Sequence, residues 1–367
     1  MRKSIGLLIT ILFLAWSSSS ALADTFSLVD LGSFGGTYSR AQAVNNAGQV
    51  AGSSSTSSIT WRGYIWEAGS GMQDLGNLAG HNNQETFASD INESGQISGY
   101  SGDYNNSRSF IWDNTMQGLG LSYGTFRDSG NAINDNGVIT GHWGSHTNWR
   151  AYIWDGTGTG MELPKPPQAG AFEWFGNGIN NNGAVVGHSY NWSKHNAFIW
   201  DSTNGSRILS SDESVARDIN NAGLVIGDIN NTAYLWDTEN VTILGDRSLG
   251  TLGGSKSHGI GINEFGSVVG YSKTADDVWN AFLYKDGSMM NLNDLVDTGD
   301  FTLAYANDIN EVGQIVGTMI SNLDGSEHSF LLNPTDVAPV PEPSTMLLLV
   351  SGFLGLAGFR RKIFGKR

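Results

Sequence analysis

Short apolar runs separated by breaks rich in Asn and Gly recur along the chain, and one such run returns in nearly the same letters. The pattern is Ile or Val, then Asn, two free positions, Gly, one free position, Val or Ile, one free position and Gly. It occurs seven times, with its Asn at 45, 92, 134, 180, 220, 263 and 310, spaced by 40 to 47 positions. A second run follows each copy, with its aromatic at Tyr64, Phe110, Tyr152, Phe198, Tyr234, Phe282 or Phe330 after a small residue (Gly63, Ser109, Ala151, Ala197, Ala233, Ala281, Ser329). A third, of the form Met-x-Asp-Leu-Gly, follows at Met72–Gly76, Met116–Gly120 and Met161–Leu163, and more loosely at Arg207–Leu209, Val241–Gly245 and Met289–Leu292. After the seventh copy it is missing, and its equivalent, Phe26–Gly32, stands ahead of the first repeat.

Turn chemistry assigns these runs. An Asn at the first position of a type I turn bonds the backbone just ahead, and a Gly three residues on takes the left-handed conformation of a bulge, so Ile-Asn-x-x-Gly-x-Val predicts a tight hairpin. The small residue before each aromatic lets a neighbouring sheet come close, and the aromatic and branched residues after it suit a strand buried on both faces. Four strands in about 44 residues is the spacing of a β-propeller blade. The expected fold is therefore an all-β, seven-bladed β-propeller over residues 24–336, closed by segment 26–32 acting as outer strand of the seventh blade. Such closure removes an open sheet edge.

The two ends read as addresses. Met1-Arg2-Lys3, an apolar run from Ile5 to Trp16 and a small-residue stretch ending at Ala23 predict a signal peptide over 1–23. Residues 337–367 hold Pro341-Glu342-Pro343, an apolar stretch from Met346 to Phe359 expected to be a short helix, and a basic end with Arg360 and Arg361. At about 1.5 Å per residue that stretch covers only about 21 Å of a bilayer core roughly 30 Å thick. This tripartite tail resembles the PEP-CTERM sorting signal of Gram-negative bacteria. The resemblance implies an exosortase as partner, transient or persistent anchoring in the inner membrane, and delivery to the cell surface or extracellular matrix. The repeat text, with Asn196 to Trp200, Asn280 to Tyr284 and Leu249 to Gly254, resembles the HAF-repeat family of extracellular bacterial proteins, which offers no catalytic residues to carry over.

Composition changes the picture in two ways. The chain has 367 residues, no Cys and a net charge of -15, and seven of its 20 basic residues lie in the two ends, so the body is more acidic still. That excludes a disulfide scaffold and a zinc-thiolate site, and argues against nucleic-acid binding, which needs cations. No cofactor or metal site is read from the sequence. His142 and His188 share one repeat position but read as polar surface positions, and Asp90, Asp218 and Asp308 mimic the start of a calcium loop that lacks its closing Glu. The Trp residues that the repeat does not require are the candidate ligand contacts, expected on the face carrying the variable loops: Trp61, Trp149 and Trp279 before the aromatic run, Trp143 and Trp192 in loops after the hairpin, and Trp174 in a loop between repeats. Exposed indoles stack on sugar rings, which suggests an extracellular polysaccharide as partner; packing between neighbouring blades is the alternative. The functional expectation is a non-enzymatic binding or structural module, the rival a propeller-type polysaccharide hydrolase or lyase.

Overall fold

A computed structural model describes residues 25–335, apart from 59, 79–84, 104–105, 121–126, 146, 159, 168–169 and 239–246. The signal peptide and the C-terminal sorting segment, with its expected helix, lie outside the described residues. Within them the chain is all-β. A single 3₁₀ turn, Leu292–Asp294, is the one helical element, and no described helix is long and apolar enough to cross a membrane.

The chain forms consecutive antiparallel sheets, one repeat after another. The second repeat is representative: Thr86–Ile91, Ile97–Ser101, Arg108–Trp112 and Met116–Gly118 pair in sequence order. The fifth repeat shows three described strands, Ser214–Ile219, Leu224–Ile229 and Thr232–Asp237, and a bridge from Tyr234 to Ser248; the fourth run expected at 241–245 lies outside the described residues. The largest sheet has eight strands and consists of two four-stranded halves that meet at one parallel pair, Tyr38 with Glu327. In one half, Phe26–Asp30 runs antiparallel along Glu327–Pro334 in the register Phe26 to Pro334. The first and last described strands of the chain are thus partners.

The predicted turn is present in every copy. In the first, the Gly48 amide donates to the Asn45 carbonyl at 3.0 Å, the Gln49 amide to Asn45 Oδ1 at 3.0 Å, and Gly48 has φ of 78°. The second Gly of the pattern has a different reason. A Cβ at Gly141 would stand 1.9 Å from the carbonyl oxygen of Ser129 on the paired strand, so a side chain there is excluded.

The turn Asn also does something a single repeat does not reveal. Asn45 Nδ2 donates to the Asn92 carbonyl at 3.2 Å, Asn92 to Asn134 at 3.1 Å, Asn134 to Asn180 at 2.9 Å and Asn180 to Asn220 at 3.1 Å. Asn220 continues to Asn263 at 3.0 Å, Asn263 to Asn310 at 3.2 Å, and Asn310 returns to Asn45 at 2.9 Å. The bonds form a closed cycle through all the copies. The next residue repeats the device: the Glu93 amide donates to Asp135, Asp135 to Asn181, Asn181 to Asn221, and the Glu311 amide closes the cycle on Asn46 Oδ1 at 2.9 Å.

Between sheets the core is apolar and close-packed. The third-strand aromatic is fully buried in Tyr64, Phe110, Tyr152, Phe198, Phe282 and Phe330. Among these six its identity follows its neighbour: Tyr152 Oη bonds Ser109 Oγ at 3.0 Å and Tyr64 Oη bonds Ser329 Oγ at 2.8 Å, while Phe stands where the preceding repeat offers Gly63 or an Ala; Tyr234, which is only half-buried, also follows an Ala, Ala197. A buried hydroxyl needs a partner, and the small position supplies it.

Candidate functional site

The first strand of every repeat carries a β-bulge two residues ahead of its Ile or Val, visible as register breaks at Ala41/Ala43, Ala88/Asp90, Gly130/Ala132 and Gly176/Gly178 and in the same place in the other three. A bulge re-aims the extra side chain. The bulged residues Gln42, Ser89, Asn131 and Asn177, with Arg217, Ile260 and Asn307 from the remaining repeats, line one central cavity of about 290 Å³. Three of them also brace the seam between repeats: Asn131 Nδ2 donates to the Gly176 carbonyl, Asn177 Nδ2 to the Ala216 carbonyl and Asn307 Nδ2 to the Ala41 carbonyl, each at 2.7 Å.

Three carboxylates converge on that cavity, Asp90, Asp218 and Asp308. Each accepts its own strand's next amide and an amide of the following repeat: Asp308 from Ile309 and Val44, Asp90 from Ile91 and Ile133, Asp218 from Ile219 and Ile262, at 2.7 to 3.1 Å. They are inter-sheet staples rather than calcium-loop ligands. Burial pushes Asp218 up to about 6 and Asp308 up to about 7, and lifts Asp90 well above the usual carboxylate range, opposed in each case by the amide bonds.

Above the cavity lie two pockets. One, of about 440 Å³, shares Gln42, Ser89, Asn131 and Asn177 with the central cavity and is walled by Trp61, Phe87 and Tyr100. The other, of about 400 Å³, lies across the Phe87–Tyr100 pair, with Trp149, His142 and the acids Glu85, Asp103 and Asp128 around it. Phe87 and Tyr100 are cross-strand partners stacked at 4.9 Å, and Trp61 leans on Phe87 at 5.7 Å. Burial raises both Tyr100 and Asp128. Two aromatic walls, a row of amides and a hydroxyl suit a polar ligand with apolar faces.

The expected Trp contacts separate into three groups. Trp61, Trp149 and Trp279 hold one register, half-buried between repeats, each under a cation: Arg40 at 5.3 Å, Arg127 at 5.4 Å and Lys273 at 5.4 Å from the ring centroid. Trp192 is 70% exposed on a loop. The other two differ from expectation. Trp143 lies in the strand Ile139–Gly144, packed beside Leu119 and Tyr152, not in a loop. Trp174 lies in the strand Glu173–Ile179 and is only 4% exposed; its Nε1 donates to the Leu163 carbonyl and Arg150 covers its ring at 4.2 Å, so no face is open to a ligand. The sequence reading ended the first strand too early and began the second too late.

His142 and His188 do not form a pair. Phe175 stands between them, 5.1 Å from one ring and 4.8 Å from the other, and Asn131 and Asn177 bond their Nδ1 atoms at 3.2 and 3.1 Å. Burial lowers them to about 4 and about 3, so both rings are neutral at physiological pH. Among the described residues no group of three or more His, Asp or Glu side chains is arranged to hold a metal ion. Phe87, Tyr100 and the bulged residues were not singled out from the sequence; their signal is a fixed offset of five or three positions ahead of each turn Asn, or eight after it.

Comparison with known proteins adds two findings. Residues 339–362 match the model of the PEP-CTERM protein-sorting motif, which includes Pro341, Glu342, Pro343, Arg360 and Arg361. That motif is a signal for exosortase and marks an exported protein sorted at the membrane. No curated protein matches the sequence. Among solved structures, virginiamycin B lyase from Staphylococcus aureus is similar at 11% identity, covering 84% of this chain and 99% of that one, with a TM-score of 0.55. The β-propeller domain of the Trilobed protease from Pyrococcus furiosus has 13% identity over 69% and 81%, TM-score 0.47. A fucose-recognising six-bladed lectin from Aleuria aurantia has 12% identity over 85% and 96%, TM-score 0.38. At such identities the likeness concerns the fold alone: the chain is an all-β propeller.

Proposed function

We propose that this chain is a seven-bladed propeller whose variable-loop face binds an uncharged extracellular polysaccharide without acting on it chemically, at the cell surface or in the extracellular matrix. The blade count rests on the two cycles of hydrogen bonds through the repeats and on the single parallel pair at which the eight-stranded sheet divides. The HAF-repeat resemblance belongs to the same proposal. Signal-peptide export through residues 1–23, the 24–336 and 337–367 boundaries and anchoring through 346–359 complete it.

One observation carries the binding reading: the pockets either side of Phe87 and Tyr100 are walled by Trp61 and Trp149, and the one under Trp61 opens onto the amides of Gln42, Asn131 and Asn177. Aromatic faces take the C–H side of a sugar ring, and the Gln42 amide and the side-chain oxygens of Asn131 and Asn177 take its hydroxyls, since the Nδ2 groups of both Asn are engaged within the protein. The acidic body repels polyanions, which favours an uncharged chain. The rival, a hydrolase or lyase, is favoured by Asp90, Asp218 and Asp308 converging on the cavity. Against it, every one of those carboxyls is already engaged by two backbone amides. A glycan array combined with a reducing-end assay separates the two. Binding without release is expected, with Trp61→Ala weakening it about tenfold, the worth of roughly 1.4 kcal/mol. Release of reducing ends overturns the binder reading, and binding to no glycan overturns the polysaccharide.

A further inference from the structure

Trp192 is the most exposed Trp of the described residues, and it is held in a conformation that a bulky side chain rarely adopts, φ of 68°. Below it the loop is pinned. Asn191 Oδ1 accepts the amides of Ser193 and Lys194 at 3.2 and 3.1 Å, Lys194 Nζ donates to the Ser211 carbonyl, and Glu213 accepts both the His195 amide at 3.0 Å and His195 Nδ1 at 2.8 Å. Nothing in this arrangement buries the indole. It stacks one face on Phe172, with centroids 4.3 Å apart and planes 19° from parallel. Strain retained at an exposed aromatic points to use.

From Trp192 aromatic contacts run inward without a break. Tyr190 lies 6.3 Å from Trp192 and stacks on His195 at 4.8 Å, and His195 meets His188 at 5.2 Å. His188 stacks on Phe175 at 4.8 Å, and Phe175 reaches Trp149 at 6.2 Å, the wall of the pocket described above. On the far side of that pocket the Tyr100–Phe87 stack continues to Trp61 and then to Tyr38, 41% exposed, at 6.4 Å. The path crosses the first four repeats and has an exposed aromatic at each end. In the last three repeats a shorter cluster, Trp279, His258, Tyr271 and Tyr305, is half-buried and ends in no exposed aromatic among the described residues, and there Arg217 and His258 both engage Asp228.

We infer that the site takes one extended linear glycan, laid across four consecutive repeats with Trp192 as its outermost contact, and not a single terminal sugar held once per repeat. This rests on the polysaccharide reading above. Neutral His142 and His188 leave that inner stretch of the path uncharged at physiological pH, and at the pocket Glu85, Asp103 and Asp128 outnumber the single cation Arg127, which disfavours anionic sugars, so the chain committed to is an uncharged one.

The test uses the mature protein and calorimetric titration with cello-, chito- and manno-oligosaccharides, each as disaccharide and hexasaccharide. In at least one series the hexasaccharide is expected to bind about tenfold or more tightly than the disaccharide. Trp192→Ala should remove most of that gain, about tenfold, while changing disaccharide binding by less than about twofold, and Trp192→Phe should restore it. Equal binding of the two lengths by the parent protein, or equal weakening of both by Trp192→Ala, overturns the extended site while leaving a polysaccharide binder in place. Binding of none of the series by the parent overturns the polysaccharide reading and this inference with it.

Discussion

The two ends of every repeat are built on opposite principles. At the turn end the same Asn, the same left-handed Gly and the same pair of side-chain to backbone bonds recur around the cycle, with only Asn46, Glu93, Asp135 and their equivalents varying among acceptors of one kind. At the loop end the equivalent positions hold Arg40, Phe87, Ser129, Phe175, Val215, His258 and Tyr305, which range from a cation through aromatic rings to a hydroxyl and an aliphatic side chain. Uniform chemistry is what joins copies to one another; differing chemistry is what a ligand reads. The scaffold is thus held from one side and leaves the other free to differ, as expected when loops on a rigid frame carry function.

If stability resides in closure at the turn end, the largest effect comes from removing the strand that completes it. Deleting residues 24–33 exposes the edge of Glu327–Pro334 and buried Phe26 and Leu31 lose their places, so the product is expected to aggregate or fail to fold; a deletion variant that melts with the parent breaks the comparison outright. Next is pH. Asp218 and Asp308 keep their protons in the fold up to about 6 and about 7, whereas an unfolded carboxyl loses its proton near 3.9, so the folded state binds more protons in between and stability falls as pH rises from about 4 to about 7. A melting temperature lower at pH 8 than at pH 5, with a smaller difference in Asp308→Asn, is the expected result. A smaller loss, about 1–3 kcal/mol by denaturant titration, is expected for Asn134→Ala, which abandons the buried Asn180 carbonyl. Smallest is Trp192→Ala, within about 0.5 kcal/mol, because its indole is exposed; a larger drop places stability at the loop end as well.

How much of this was readable in the letters follows the same division. The hairpin was legible because Asn at one turn position and Gly three residues on act within a few residues. The pairing of Phe26–Asp30 with the final strand was legible because one run was missing at the end and present at the start. The Asn cycle was not, since each Nδ2 finds a carbonyl 40 to 47 positions away, or 265 for Asn310, and the residue type serves the local turn equally well. The bulged residues that line the cavity were hidden for a different reason: Gln42, Ser89, Arg217 and Ile260 share a backbone distortion and no side-chain property, so they looked like unconstrained positions. The Tyr and Phe alternation in the third strand was present in the sequence all along, but its meaning depends on which repeat precedes which in space.

Thr335 donates its amide to the Thr25 carbonyl at 2.9 Å, across 310 positions of sequence. In a protein threaded across a membrane from its N-terminus, the strand that emerges first therefore waits for the strand that emerges last. Until then every intermediate has an unpaired edge and a long loop still to close. The sorting motif at 339–362 follows that last strand directly, so it reaches the membrane just as the final partner becomes available. Under the proposed export from the N-terminus, that order brings sorting and the pairing of the first and last strands close together in time.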